Sequence, residues 1–265
     1  MPGNAAVKST ARAALKGLWL GAVACTLLLF GTAFVAVYAG VLFSTAMGTF
    51  GNWLTWIFVP LFCLLVVSPL FLGVLRYFWR ATAGGNDAVL SVFYYFESFS
   101  RYIYCVKFLG TLLIRLALIA LAVFSPFIAI KLILLASGDV LSEQLRMQLS
   151  FASSVFASLG TVFFVIFSVR FYLSPALFVA CDNLDRHEIL YLSKTVSRQT
   201  AGAFIVLIVG MLGWFLLSTL GITLIYTAPY MIATYVIHCR FAINHHNRKA
   251  HRAQETDFPE YRSDF

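Results

Sequence analysis

Residues 201–243 read AGAFIVLIVGMLGWFLLSTLGITLIYTAPYMIATYVIHCRFAI, and this apolar block sets the architecture of the whole chain. At a helical rise of about 1.5 Å per residue it is about twice as long as one membrane crossing requires. We therefore expect two helices, 201–219 and 222–243. The turn between them is predicted near Leu220 and Gly221, because glycine tolerates a positive φ.

The amino-acid composition indicates a membrane protein. Hydrophobic residues make up 61% of the chain and charged residues only 11%, and the mean hydropathy is +0.87. These values lie well outside the range of soluble globular proteins. The net charge is +8. Because the basic residues adjoin apolar segments, we interpret them as topology signals and as contacts for anionic lipid, and we predict no nucleic-acid partner.

The other long apolar segments are predicted to be further spans. The predicted fold class is therefore all-α, a polytopic transmembrane helix bundle of about six spans. The four spans that precede the terminal pair are 17–42, 53–79, 108–135 and 151–180. The basic leader 1–16 and the polar tail 244–265 flank this domain, and their Lys and Arg residues predict that both termini are cytoplasmic.

Two segments between spans are predicted to be amphipathic arms. In arm 86–100 and arm 184–198, apolar residues recur at helical spacing and charged residues occupy other faces. Both segments are too short and too polar to cross a bilayer. We expect each to form a helix that lies in the membrane interface.

Helix-breaking residues interrupt several predicted spans. We expect kinks at Pro69, Pro126, Pro175 and Pro229, and a turn at Gly221. Such breaks can line a ligand site, as they do in transporters. They also occur in ordinary packed bundles, where neighbouring helices satisfy the freed backbone groups.

Two arginines fall within predicted spans and are the candidate ligand contacts. Arg115 and Arg170 lie at comparable depths from the predicted cytoplasmic side, where they could face an anionic ligand or a lipid phosphate. Alternatively, they extend toward the headgroups or pair with backbone carbonyls. The acidic residues all fall outside the predicted spans, which argues against a pump driven by intramembrane carboxylates.

The sequence has no motif that predicts an enzyme, and we predict no catalytic residue and no cofactor. No P-loop, dinucleotide-binding or nucleophile-elbow motif occurs in a suitable context. Histidines cluster between His238 and His251, but they lack the H-E-x-x-H pattern and an acidic partner, so no metal site is predicted. The five cysteines are scattered singly, which predicts no disulfide framework.

Two regions carry a resemblance to a known family. The first comprises Pro69-Leu70, Gly73 and Leu75-Arg76-Tyr77-Phe78, followed by an Asn-Asp pair and an aromatic arm. The second comprises Ser174-Pro175, Asp182-Asn183, the charged arm that ends at Ser193 to Arg198, Gly213-Trp214-Phe215-Leu216-Leu217, Leu220-Gly221 and Ala228-Pro229-Tyr230-Met231.

These regions, from about Pro69 to Ala242, resemble the bacterial membrane proteins grouped as domain-of-unknown-function family 975. The chain departs from the family pattern in its aromatic-rich first arm and its long basic tail. The resemblance implies a six-span protein of the bacterial inner membrane. It implies no established activity, so no catalytic residue is carried over.

These observations predict a non-enzymatic membrane scaffold or assembly protein. Its predicted partners are anionic lipid headgroups at the cytoplasmic face, together with another protein or a second copy of the chain. The alternative is a permease, or a protein that handles lipids or small anions, with a cavity near Arg115 and Arg170. A polar cleft that reaches Arg115 would favour transport, and a closed, dry bundle would favour the scaffold.

Overall fold

The structure is a computed structural model that describes residues 3–85, 87–137, 142–181, 184–218, 221 and 223–257. In these residues the regular secondary structure is helical throughout, which confirms the predicted all-α class. The α-helices are α1 (Asn4–Leu15), α2 (Trp19–Phe62), α3 (Ser68–Ala81), α4 (Phe99–Ala136), α5 (Glu143–Ser168), α6 (Ser174–Ala180), α7 (Arg186–Val209), α8 (Leu212–Ser218) and α9 (Leu224–Asp257). A π-helix, Cys63–Val67, joins α2 to α3, and 3₁₀ turns form at Val89–Phe93 and Val169–Phe171.

Several of these helices are long and apolar enough to cross a membrane. In the described residues three helical stretches meet this requirement: Trp19–Ala81, Phe99–Ala136 and Glu143–Ala180. A fourth is added if α7 and α8, which meet at an angle of 49°, form one broken span. The helices are therefore those of a membrane protein.

The first of these stretches folds back on itself at Gly48. A straight helix of 63 residues would be about 95 Å long. Gly48 instead has φ 57° and ψ −131°, which interrupts the helix. The Thr55 hydroxyl donates to the Gly40 carbonyl at 2.7 Å, and the rings of Phe43 and Phe58 lie 5.8 Å apart. The predicted spans 17–42 and 53–79 thus belong to two antiparallel halves, each of which remains helical up to this turn.

Neither predicted arm forms a separate helix. In place of a helix over 86–100, the structure has the 3₁₀ turn Val89–Phe93, and α4 begins at Phe99. This segment packs so closely on α3 that a Cβ on Gly73 would lie 1.8 Å from the Val92 carbonyl oxygen. The arm 184–198 is instead the start of α7, because no proline separates it from the apolar residues that follow and the helix continues through Gly202.

The basic leader is part of the bundle. It forms α1, whose buried Val7, Ala11 and Leu15 recur every four residues and so lie on one face. This helix packs against α9. The Lys8 ammonium donates to the Gly210 carbonyl at 2.7 Å, at the break between α7 and α8. Gly210 ends α7, so Lys8 supplies a positive charge at the negative end of the helix dipole.

The predicted sixth span, 222–243, corresponds to the first half of α9. In the described part of the chain, α9 is not among the helices apolar enough to be a candidate span. The reason is composition, because Thr, Tyr, His and Arg residues alternate with the apolar residues of this helix. The helix also packs among α1, α2, α3, α7 and α8. The buried polar residues on this helix are Thr227, Thr234 and His238.

Aromatic rings join the elements at one side of the bundle. Phe178 of α6 lies 4.3 Å from Phe108, 5.4 Å from Tyr104 and 5.7 Å from Tyr95, measured between ring centroids. We call these four residues the aromatic cluster. It connects α6 to α4 and to the segment that precedes α4. Beyond the aromatic cluster, α4 contains an apolar stretch of 18 residues, none of which is buried. Helix α4 packs against α5.

The close approach at Gly73 generates the first prediction. Gly73→Ala should lower the free energy of unfolding by about 2 kcal/mol or more, because the new methyl group meets a backbone carbonyl that cannot rotate away. Gly110→Ala in α4, where nothing lies within 4 Å of the added atom, is the matched control. Thermal unfolding in detergent should show a lower midpoint for Gly73→Ala alone. Equal midpoints would contradict the packing of Val92 on α3.

A second glycine pair tests the fold-back of α2. In Gly51→Ala the new Cβ would lie 1.9 Å from the Phe43 carbonyl oxygen, so the two halves of α2 should be forced apart. Gly31→Ala adds the same methyl group in open space. A cross-link by a short bis-maleimide between cysteines introduced at Phe43 and Phe58, in a chain whose own five cysteines are replaced, reports the pairing. We expect it to form readily with Gly31→Ala and poorly with Gly51→Ala, whereas equal yields would argue against the turn at Gly48.

Candidate functional site

The first half of α7, residues 186–198, presents a charged face beside a buried face. The helix starts with a capping box in which the Asp185 side chain accepts from the His187 backbone amide and Glu188 accepts from the Asp185 amide. The buried residues in this half are Ile189, Leu190, Ser193, Val196 and Ser197. Lys194 and Arg198 are exposed. The helix therefore directs its cations away from the core.

Arg115 lines a cleft beside the start of α7. Its Nη2 lies 3.3 Å from Nδ1 of His187. The cleft has a volume of about 640 Å³ and is lined by Arg115, Leu184, His187, Glu188, Leu190, Tyr191, Leu192 and Lys194. The α4 residues after Arg115 extend for about 30 Å, the thickness of a hydrocarbon core. Arg115 thus lies in the first half of α4, within its apolar part and near the polar start of α7.

Arg170 lines a second cleft, on another side of α7. It belongs to the 3₁₀ turn Val169–Phe171, and its guanidinium carbon lies 5.2 Å from the ring centroid of Phe167. The Ser193 hydroxyl donates to the Arg170 carbonyl at 3.3 Å, which ties this turn to α7. The cleft has a volume of about 510 Å³ and is lined by Ile166, Val169, Arg170, Lys194, Ser197, Arg198 and Ala201.

The two candidate arginines do not share one cavity. Arg115 and Arg170 line different clefts, and Lys194 is common to both. The sequence analysis singled out these arginines but not Lys194, Ser197 and Arg198. Their spacing of i, i+3 and i+4 places them on one helical face. That spacing was the signal available in the sequence.

The cations of the second cleft have no acidic partners in the part of the chain that the structure describes. Arg80 pairs with Asp87 at 3.1 Å and Arg101 pairs with Glu97 at 3.3 Å. No described carboxylate lies within salt-bridge distance of Arg170, Lys194 or Arg198, and no acidic residue lines their cleft there. Because all three cations line the same cleft, an anion that enters it is attracted by each of them.

Ser197 is the buried polar residue of this cleft. The residue is only 1% exposed, and its hydroxyl has no hydrogen-bond partner among the described residues. Its neighbours Ser193 and Thr200 do have partners, since Thr200 donates to the Val196 carbonyl at 3.0 Å. A buried hydroxyl without a partner is unfavourable, so a ligand oxygen beside Ser197 would be stabilising.

A buried polar network occupies the core between α7 and α9. The Tyr172 hydroxyl lies 2.8 Å from Thr200 Oγ1 and 3.1 Å from His238 Nε2. The Tyr172 ring stacks on Phe204 at 3.9 Å. His238, the first residue of the histidine cluster, is therefore a hydrogen-bonded core residue. The described residues contain no group of three or more metal ligands, and the side chain of His251 lies outside them.

The proposed kink residues occupy different places in the helices. Pro175 lies in the first turn of α6, where a missing backbone amide is tolerated. Pro69 follows the π-helix directly and so lies inside the continuous helical stretch Trp19–Ala81. Pro126 and Pro229 lie inside α4 and α9. Gly221 has φ 68° beside the predicted turn, and its neighbour Leu220 lies outside the described residues.

Comparison of the chain with protein-family models, with characterised proteins and with solved structures gives no match. Membership of domain-of-unknown-function family 975 therefore stays a prediction that depends on the residues quoted above.

Proposed function

We propose that this chain is a six-span protein of the bacterial inner membrane that acts as a non-enzymatic scaffold or assembly protein. Its basic side would lie at the cytoplasmic face and contact anionic headgroups, together with a protein partner or a second copy of the chain. The observation that carries the proposal is the charged half of α7, which holds Lys194 and Arg198 beside Arg170, without acidic partners in the described residues.

The arrangement of the helices in pairs supports six spans. The halves of α2 turn at Gly48, α4 pairs with α5, and the broken helix α7–α8 pairs with α9 near Gly221. A helical pair returns to the side from which it started, so three such pairs would make six crossings. The short bent helix α8 could also belong to a re-entrant pair, which is the alternative for the last crossing.

The cations near the end of α3, at the start of α7 and on α9 support a cytoplasmic basic side, whereas Lys8 of α1 lies at the opposite end of α7, beside Gly210. Arg76 and Arg240 lie over aromatic rings: Arg76 lies 3.5 Å from the ring centroid of Tyr94 and Arg240 lies 4.6 Å from that of Trp79. By the positive-inside rule, the side where cations concentrate faces the cytoplasm. A cation near an anionic membrane surface contributes about 1 kcal/mol to binding.

One observation favours the alternative of a permease or an anion-handling protein. The cleft at Arg115 is polar at one end, since His187, Glu188 and Lys194 share its lining. A transport path would have to continue from this cleft to the far ends of the spans. The scaffold proposal instead requires that the cleft be reached from the basic side alone.

Cysteine labelling tests the predicted topology. In a chain whose five cysteines, Cys25, Cys63, Cys105, Cys181 and Cys239, are replaced, single cysteines are introduced at Thr49, Ser142 and Ser218. An impermeant maleimide should label these three in intact cells. A cysteine at Glu188 should react only after permeabilisation. If Ser218 reacted only after permeabilisation while Thr49 and Ser142 reacted without it, the last pair would be re-entrant and six spans would be wrong.

Labelling of the same cysteine-free chain also distinguishes the scaffold proposal from the transporter alternative. A cysteine at Arg115 should react after permeabilisation and stay unlabelled in intact cells, because the scaffold needs no aqueous path to this cleft. Thr49 serves as the positive control for labelling from outside. Labelling of Arg115→Cys in intact cells would reveal a continuous aqueous path and would contradict the scaffold proposal.

A further inference from the structure

The second cleft combines a cationic end with an apolar end. Arg170, Lys194 and Arg198 supply the cations, whereas Ile166 and Ala201 belong to its apolar lining. A site for a small soluble anion needs only the first of these features. The two ends together suit a molecule that is itself amphipathic, such as a lipid.

The apolar end continues onto exposed helix surfaces. On α5, Ile166 is 53% exposed and Val162, one turn earlier, is 56% exposed. On α7, Ile205 follows Ala201 by one turn and is 48% exposed, and Val206 is 60% exposed. These side chains extend away from the cations along both helices. An acyl chain could lie along them while its headgroup remained in the cleft.

We infer that Arg170, Lys194, Arg198 and the buried hydroxyl of Ser197 form a site for the phosphate group of one anionic phospholipid. The two guanidinium groups can each donate paired hydrogen bonds to phosphate oxygens, and Lys194 adds a point charge. The Ser197 hydroxyl, which lacks a partner in the described residues, would donate to a further oxygen. This site gives the general attraction to headgroups in the proposed function one defined location, and so the inference rests on that proposal.

The position of the site follows from the link between α7 and the preceding turn. The Ser193 hydroxyl donates to the Arg170 carbonyl, one turn before Ser197. The backbone that carries Arg170 is thereby held against the helix that carries Lys194 and Arg198. The backbone positions that carry the three cations are thus held together before any ligand binds, and only the side chains must be ordered on binding.

The experiment measures the thermal unfolding midpoint of the full chain in a neutral detergent during titration with three probes. The probes are dioctanoyl phosphatidylglycerol, dioctanoyl phosphatidylcholine and inorganic phosphate. We expect phosphatidylglycerol to raise the midpoint in a saturable manner, and the other two to have little effect at equal concentration. If inorganic phosphate had the same effect as phosphatidylglycerol, the cleft would be a site for free phosphate and the lipid assignment would be overturned.

Substitutions locate the effect. Each single substitution should raise about fivefold the phosphatidylglycerol concentration that gives half of the full midpoint shift; the substitutions are Arg170→Gln, Lys194→Gln and Arg198→Gln. The triple variant should raise this concentration about a hundredfold. The three residues are exposed, so their replacement should leave the fold intact. Arg170→Lys keeps the charge but loses the paired hydrogen bonds, and should give an intermediate loss.

A matched control removes three exposed cations from other places, Lys16, Lys107 and Lys131, by substitution with Gln. This variant should retain the phosphatidylglycerol response of the unchanged chain. If its phosphatidylglycerol response fell as much as that of the triple cleft variant, the response would come from general attraction to the basic surface. The proposal of a defined site would then be wrong. That result would leave the topology of the proposed function standing, since the labelling experiment tests it independently.

Discussion

The burial of α9 is the constraint on which the rest of the bundle depends. This helix packs against α1, α2, α3, α7 and α8, and it carries Thr234 and His238 into the core at 0% and 2% exposure. A helix surrounded by protein must satisfy its polar groups internally. The Thr234 hydroxyl donates to the Tyr230 carbonyl, and His238 meets Tyr172. The buried hydroxyls of Thr227 and Tyr230 are exceptions, because they have no hydrogen-bond partner among the described residues. The surfaces left exposed belong largely to the apolar helices around it.

The cations of this protein divide into those used within the fold and those left available. Arg76 is only 6% exposed and lies over Tyr94, and Arg240 donates to the Trp79 carbonyl. Both hold neighbouring elements together, since a guanidinium can stack on a ring and donate hydrogen bonds simultaneously. Arg170 and Arg198 face a cleft instead. A count of positive charges in the sequence cannot separate the two groups, because the difference arises from which aromatic side chains the fold brings near.

The lengths of the apolar runs and the positions of glycine and proline predicted the helical class and the approximate places of most apolar segments. This was possible because a long apolar run depends on local composition alone. The interruptions were harder to predict. Arm 184–198 had the pattern of an interfacial helix, yet α7 continues through it, since helix propagation across Arg198 and Ala201 costs little once α7 has formed. The segment near Val92 took its shape from close packing against Gly73, a contact between residues that composition cannot reveal.

The two clefts could likewise be predicted only in part from the sequence. Arg115 and Arg170 were recognisable because charge is rare in apolar segments. The separation of these arginines into two clefts depends on the path of α7 between them. The contribution of Ser197 depends on its burial, and a serine in an amphipathic pattern gives no sign of whether its hydroxyl will find a partner.

The contact between Lys8 and Gly210 implies an order of events during synthesis of the chain. The two residues are 202 positions apart, and α1 packs against α9, the last of the described helices. At translation rates of about 5 to 20 residues per second, α1 is made roughly 10 to 40 s before the helices it contacts. During that interval the face of α1 that packs against α9 lacks this partner. Helix α1 therefore reaches its final position only after α9 has been made.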